Sequence, residues 1–145
     1  MIFVRHFVVF CLFLSLLVGC GGDGNVAHVS GVVTLNGKPT ADIAITFQPL
    51  AVEGKNTTPP AATGVTGSDG RYTVKLIGSD KPGAPVGKNQ VRFTGHVELT
   101  DLSEEALKKA KPKINIPTRY WNDPNFVFDV PKQGTKSADF QLTSP

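Results

Sequence analysis

The sequence predicts an all-β protein: a seven-stranded antiparallel β-sandwich of Greek-key type with one short helical insertion. Three observations carry this. Short runs alternate apolar and polar residues with period two, the pattern of strands that bury one face. Asn36-Gly37 and Asp69-Gly70 fall between such runs, where a two-residue turn needs left-handed backbone. Only residues 101–110 have the residue types and charge order of a helix.

The first run, residues 26–35, places Ala27, Val29, Gly31, Val33 and Leu35 on one face and His28, Ser30, Val32 and Thr34 on the other. Gly31 inside a strand marks a bulge or a close backbone contact. Asn36-Gly37 turns the chain into a second strand with Ile43, Ile45 and Phe47 facing in, closed by Pro49. Residues 51–62, with Gly54, Asn56, Pro59 and Pro60, read as an exposed loop.

Residues 63–74 read as strand, tight turn, strand. This hairpin is expected at the centre of the sandwich, with Val65, Tyr72, Val74 and Leu76 inward and Arg71, Thr73 and Lys75 outward. Residues 78–87 are rich in turn formers. The next strand, 88–97, turns Val91, Phe93 and Gly95 inward and Gln90, Arg92 and Thr94 outward.

The helix is expected to start at an Asp101 cap with Glu104 three residues on, and to stop at Pro112. Glu104 and Glu105 at its start and Lys108 and Lys109 at its end match the helix dipole. At this length it is an insertion rather than a core element. Phe126, Phe128 and Val130 mark one closing strand and Ala138, Phe140 and Leu142 the last.

The amino-terminal segment is of another kind. Met1 to His6 is short and basic, and Phe7 to Val18 is apolar except for Ser15. A basic start, an apolar stretch of this length and a small residue before the cut describe an export signal, here residues 1–19. Leu17-Val18-Gly19-Cys20 resembles the bacterial lipobox, which implies acylation of Cys20, with palmitate among the acyl chains. Residues 20–25 then form a glycine-rich tether, and residues 26–145 the folded domain. The expected location is a lipid anchor in the cell envelope, in the outer membrane, at its periplasmic or surface face, rather than in the inner membrane. The membrane is the first partner, through Cys20.

Cys11 lies in the signal and Cys20 carries lipid, so the domain has neither a disulfide nor a thiolate metal site. Fifteen basic residues stand against twelve acidic ones, without a basic stripe. The one cluster, Lys108 to Lys113, reads as a solvated surface, and no nucleic-acid partner is expected.

Gly31 to Pro39, Ile45-Thr46-Phe47 and Gly64 to Val74 together resemble the carboxypeptidase regulatory-like domains. Pro85 to Val91, Ile116 to Tyr120 and Phe140-Gln141-Leu142 are similar to segments of the small exported lipoproteins built from that domain alone. The resemblance implies a transthyretin-like (prealbumin-like) sandwich with structural, binding or stabilising roles, and it brings no catalytic set. No cofactor or metal is expected.

Gly83 to Asn89 superficially resembles a phosphate loop, but Pro82 and Asn89 stand where Gly and Ser or Thr belong. His28 and His96 fall on different strands. A Lys75–Asn89 isopeptide would require a buried lysine beside a carboxylate. A transthyretin-like hydrolase is disfavoured, because Leu142-Thr143-Ser144-Pro145 does not match the tetrapeptide that activity would require.

The best candidate contact surface is Tyr120-Trp121 beside Asn122 and Asp123, aromatics with amide and carboxylate neighbours that suit a sugar or a protein. The expected function is a non-enzymatic, lipid-anchored envelope domain with a structural, protein-binding or glycan-binding role. The alternative is a carbohydrate-binding module that uses this aromatic platform.

Overall fold

A computed structural model of the chain describes residues 25–51, 58–99 and 103–144. The fold is all-β, and its strands form two facing sheets and a small ribbon. In chain order the strands are β1 (Val26–Ala27), β2 (Ser30–Leu35), β3 (Lys38–Pro39), β4 (Ile43–Pro49), β5 (Ala62–Val65) and β6 (Arg71–Thr73). They continue as β7 (Lys75–Leu76), β8 (Ala84–Pro85), β9 (Gly87–Gly95), β10 (Val127–Val130) and β11 (Phe140–Leu142). The first sheet has the order β10-β9-β4-β5-β7. In the second, β2 lies between β11 on one side and β3 and β6 on the other, and β1 pairs with β8 apart from both.

Period-two alternation becomes burial. Ile43, Ile45 and Phe47 of β4, Val91 and Phe93 of β9, and Tyr72, Val74 and Leu76 of the β6–β7 run all lie in one core. Phe140 is its aromatic hub. Its ring lies 5.0 Å from Phe93, 5.8 Å from Phe126 and Phe128 and 6.3 Å from Phe47, centroid to centroid. Asn36 and Gly37 take positive φ, and β2 and β3 pair across them as the expected tight hairpin.

Three expectations are corrected. The pairing is not antiparallel throughout: β11 runs parallel to β2, with Phe140 opposite Val33 and Leu142 opposite Leu35. The described residues also form eleven short strands, not seven: two of the runs are interrupted, and the pairs Lys38–Pro39 and Ala84–Pro85, read as turn and loop, pair as short strands of their own. Residues 26–35 break at His28-Val29, where Val29 bridges to Thr135.

The second interruption removes the central hairpin. The Asp69-Gly70 turn forms, with Gly70 N–H donating to Gly67 O at 2.9 Å and Gly67 N–H to Arg71 O at 2.9 Å. The strands on either side of it lie in different sheets, β5 against β4 and β6 against β2. β5 is met instead by β7, after the chain has crossed between sheets at Val74. The crossing is tight: a Cβ on Gly64 would lie 2.4 Å from the Thr73 carbonyl oxygen. Val65, expected inside, is 40% exposed, and Thr66 turns inward, where its hydroxyl accepts from the Ile43 amide at 2.9 Å.

Gly31 is a close contact. A Cβ there would stand 2.1 Å from the Ala138 carbonyl oxygen, so the segment leading into β11 packs directly on backbone. The helix, α1 (Glu104–Lys109), buries none of its residues. Its cap is Ser103, whose hydroxyl accepts from the Ala106 amide at 3.3 Å. The expected cap, Asp101, lies outside the described residues, as do the export signal and Cys20. Among the described residues no helix is long and apolar enough to cross a membrane.

Candidate functional site

Pro117 ends the extended approach from Ile114, and the chain makes one 3-10 turn over Thr118–Tyr120. Tyr120 N–H donates to Pro117 O at 3.0 Å and Trp121 N–H to Thr118 O at 3.0 Å. One turn of this kind sends successive side chains in different directions. Tyr120 enters the core and Trp121 stays at the surface.

The Tyr120 ring packs edge-on against Phe93 at 6.3 Å and Phe126 at 6.0 Å. Its hydroxyl sits at the rim and accepts the Thr143 amide at 3.0 Å. The Arg119 guanidinium donates to the Thr143 carbonyl, to the Thr143 hydroxyl at 2.8 Å and to the Tyr120 hydroxyl at 3.3 Å. Burial pushes the phenol's pKa up, but the hydrogen bonds from Thr143 and Arg119 outweigh it and hold the group below the usual tyrosine range. Arg119 and Tyr120 together clasp the chain where it leaves β11. With Tyr120 buried at 9% exposure, little of its ring is available at the surface, and the exposed aromatic of the pair is Trp121.

Trp121 remains 47% exposed, and its indole N–H donates to Ile116 O at 3.0 Å, which fixes the ring while leaving part of it in water. Asn122 and Asp123 are drawn to the first sheet. Gln90 on β9 donates through Nε2 to Asn122 Oδ1 at 3.4 Å and to the Asp123 carbonyl at 3.1 Å. Arg92 in turn donates to Gln90 Oε1 at 3.2 Å. The Asp123 carboxylate accepts the Asn125 amide at 2.9 Å and so shapes its own turn.

The surface that survives is Trp121 beside the row Asn122–Gln90–Arg92, continued across the sheet by Gln48 opposite Gln90 and Thr46 opposite Arg92. Gln90 and Arg92 were legible as outward positions of a strand. Their link to Asn122, 32 residues along the chain from Gln90, was not.

The remaining candidates separate. Lys75 is exposed and pairs with Asp80 at 3.2 Å. Asn89 is fully buried, and its amide donates to Pro85 O at 2.8 Å and Gly87 O at 2.7 Å, so the two do not form the arrangement an isopeptide needs. The phosphate-loop-like stretch is the bend between β8 and β9, held by those two bonds, with Gly87 at φ +99°. His28 is exposed between β1 and β2, while His96 follows β9 and donates its amide to Asp42 O at 2.8 Å. Among the described residues no three His, Cys, Asp or Glu side chains gather as metal ligands.

Among the described residues two open hollows are found at the surface. One, of about 420 Å³, is lined by Thr63 and the β7 turn from Lys75 to Asp80. The other, of about 320 Å³, is lined by Ser30, Gly31, Arg71, Tyr72, Thr73 and Lys136. Comparison of the chain with protein-family models, with curated proteins and with solved structures finds no match.

Proposed function

We propose that this chain is a lipid-anchored, non-enzymatic domain of the cell envelope, held to a membrane by an acyl group on Cys20. The observation that carries the reading is Leu17-Val18-Gly19-Cys20 at the end of an apolar run from Phe7 that follows Arg5 and His6. The glycine-rich residues after Cys20 suit a tether, and the strands begin at Val26, directly beyond it. We read the body as a carboxypeptidase regulatory-like sandwich of transthyretin-like type. Two facing sheets, the Asn36-Gly37 hairpin and the Asp69-Gly70 turn support that assignment, and the parallel β2–β11 pair is its departure from an all-antiparallel plan.

The test is expression of the full chain in a bacterial host fed labelled palmitate. Label should appear in a membrane-bound protein and vanish from Cys20→Ala, which should leave the membrane fraction. An unlabelled wild-type protein recovered from the cytosol would defeat the proposal.

A second reading is favoured by one observation: Trp121 offers a fixed, half-exposed ring next in the chain to Asn122, whose amide is bonded to Gln90. That combination suits stacking on a sugar with hydrogen bonds to its hydroxyls. A glycan array probed with the full chain tests it. Trp121→Ala should abolish any signal and Asn122→Ala should weaken it, and an unchanged Trp121→Ala profile removes the platform.

A further inference from the structure

We infer that the hollow on the outer face of the second sheet, between β2, β6 and the segment before β11, is a binding site for a tetrahedral oxyanion of the phosphate or sulfate class. Four side chains with hydrogen-bond donors converge there from three parts of the chain: Ser30 from β2, Arg71 and Thr73 from β6, and Lys136 from the loop after β10. Ser30 stands directly opposite Thr73 in the β2–β6 register, which brings their two hydroxyls within reach of one ligand. Tyr72, between Arg71 and Thr73, points the other way into the core, so both of its neighbours face outward.

The electrostatics favour an anion. No carboxylate lines the hollow, and both of its charged groups are cationic. Asp69 meets Arg71 at Nε, 3.5 Å away, and its other oxygen accepts the Arg71 amide at 3.0 Å. Among the described residues the two terminal amino groups of Arg71 make no hydrogen bond to the protein. Asp139 is also occupied, accepting the Val32 amide at 2.8 Å. Among the described residues Lys136 has no carboxylate partner, and neither the Ser30 nor the Thr73 hydroxyl has a hydrogen-bond partner.

Donors that approach from separate directions match the three or four oxygens of a phosphate or sulfate better than the two coplanar oxygens of a carboxylate. A space of about 320 Å³ holds such a group together with part of whatever carries it. The site is distinct from the Trp121 surface and does not depend on lipid attachment.

The experiment uses the full chain in detergent, with its thermal midpoint followed as inorganic phosphate replaces chloride at fixed ionic strength. Phosphate also stabilises proteins by exclusion from their surface, but that effect is common to all variants. The wild type should gain a saturating rise in midpoint. Arg71→Gln with Lys136→Gln should weaken the apparent affinity by about 100-fold, roughly ten-fold for each charge-assisted contact removed.

Lys108→Gln with Lys109→Gln on α1, the same loss of charge at another exposed place, should respond like the wild type. A double variant at the hollow that responds fully, or a helix variant that loses the response equally, would overturn the site. A parallel titration with polyphosphate separates the sources. Tighter binding per phosphate, lost in the Arg71/Lys136 variant, assigns the ligand to an acidic polymer, and an equal response assigns it to the free anion. No response to either anion refutes the proposal.

Discussion

Asn89 provides the sharpest test of how the domain holds its shape. Its side chain is fully buried, yet its amide donates two short bonds to the carbonyls of Pro85 and Gly87, which flank the bend between β8 and β9. Both partners are acceptors, so the amide nitrogen must face them. Asn89→Ala removes both donors and opens a small void in a packed interior. Each stranded buried carbonyl costs about 1–3 kcal/mol, so the expected destabilisation is about 3–4 kcal/mol, with the void adding to it. In a domain of this size that lowers the thermal midpoint by roughly 10–15 °C.

Asn89→Asp sharpens the argument. Its carboxylate would face two carbonyl oxygens in a dry site, and only the protonated acid could donate to one of them. Desolvation and those carbonyls raise the folded-state pKa of the new group above its unfolded value. Its stabilising form is thus present at low pH and lost as pH rises through the folded-state value. Chemical denaturation at neutral and at mildly acidic pH should show Asn89→Asp recovering part of its deficit in acid, while Asn89→Ala does not. A loss below about 1 kcal/mol for Asn89→Ala would mean that water already serves these carbonyls, and the bend would need another explanation.

Three further outcomes are expected. Tyr72 donates its hydroxyl to Ala138 O at 2.6 Å, and burial, reinforced by the charge of Asp139, pushes its pKa far above the usual value of about 10. The folded chain therefore keeps a proton that the unfolded chain releases, and stability should fall by about 1.4 kcal/mol per pH unit above pH ~10. Tyr72→Phe should cost about 1–2 kcal/mol at neutral pH and lose that alkaline slope, read by denaturant titration from pH 8 to 11; comparing the two proteins cancels the slope of opposite sign from Tyr120. Phe140→Ala should cost about 3–5 kcal/mol by equilibrium unfolding, since Phe140 touches most of the other core rings. Tyr120→Phe keeps the ring but strands the Thr143 amide. It should cost about 1 kcal/mol globally and speed amide exchange at Thr143 more than at Val91.

The sequence makes the strands legible where a local rule decides them. Alternation places Ile43, Ile45 and Phe47 inward, and Asn36-Gly37 can hardly be anything but a tight turn. It does not show which sheet a strand joins. Tyr72, Val74 and Leu76 alternate identically whether β6 and β7 share a neighbour or, as found, cross from β2 to β5. Gly64 carries a local trace of that crossing, as a position where the backbone of Thr73 must pass close by, and Gly31 does the same for the segment before β11. Asn89 was illegible for another reason: it occupies an inward position that alternation assigns to an apolar side chain. Its partners are two and four residues back, but only the bend brings their carbonyls to it.

The candidate surface divides along the same line. Aromatic residues beside amides point to a contact surface whichever way the rings face, and the deciding contacts come from far along the chain. Tyr120 is turned inward by Phe93, Phe126 and Thr143, and Trp121 is held outward by one bond to Ile116. Because β11 lies at the edge of its sheet and pairs only with β2, the bonds from Arg119 and Tyr120 to Thr143 tie its end to the 3-10 turn on the far side. Substituting Tyr120 therefore loosens the seat of β11 before it alters any surface, and a binding defect in such a variant would report misplacement. Trp121→Ala removes exposed ring area and one rim hydrogen bond without touching that clasp. It is the substitution at which loss of binding and loss of fold can be told apart.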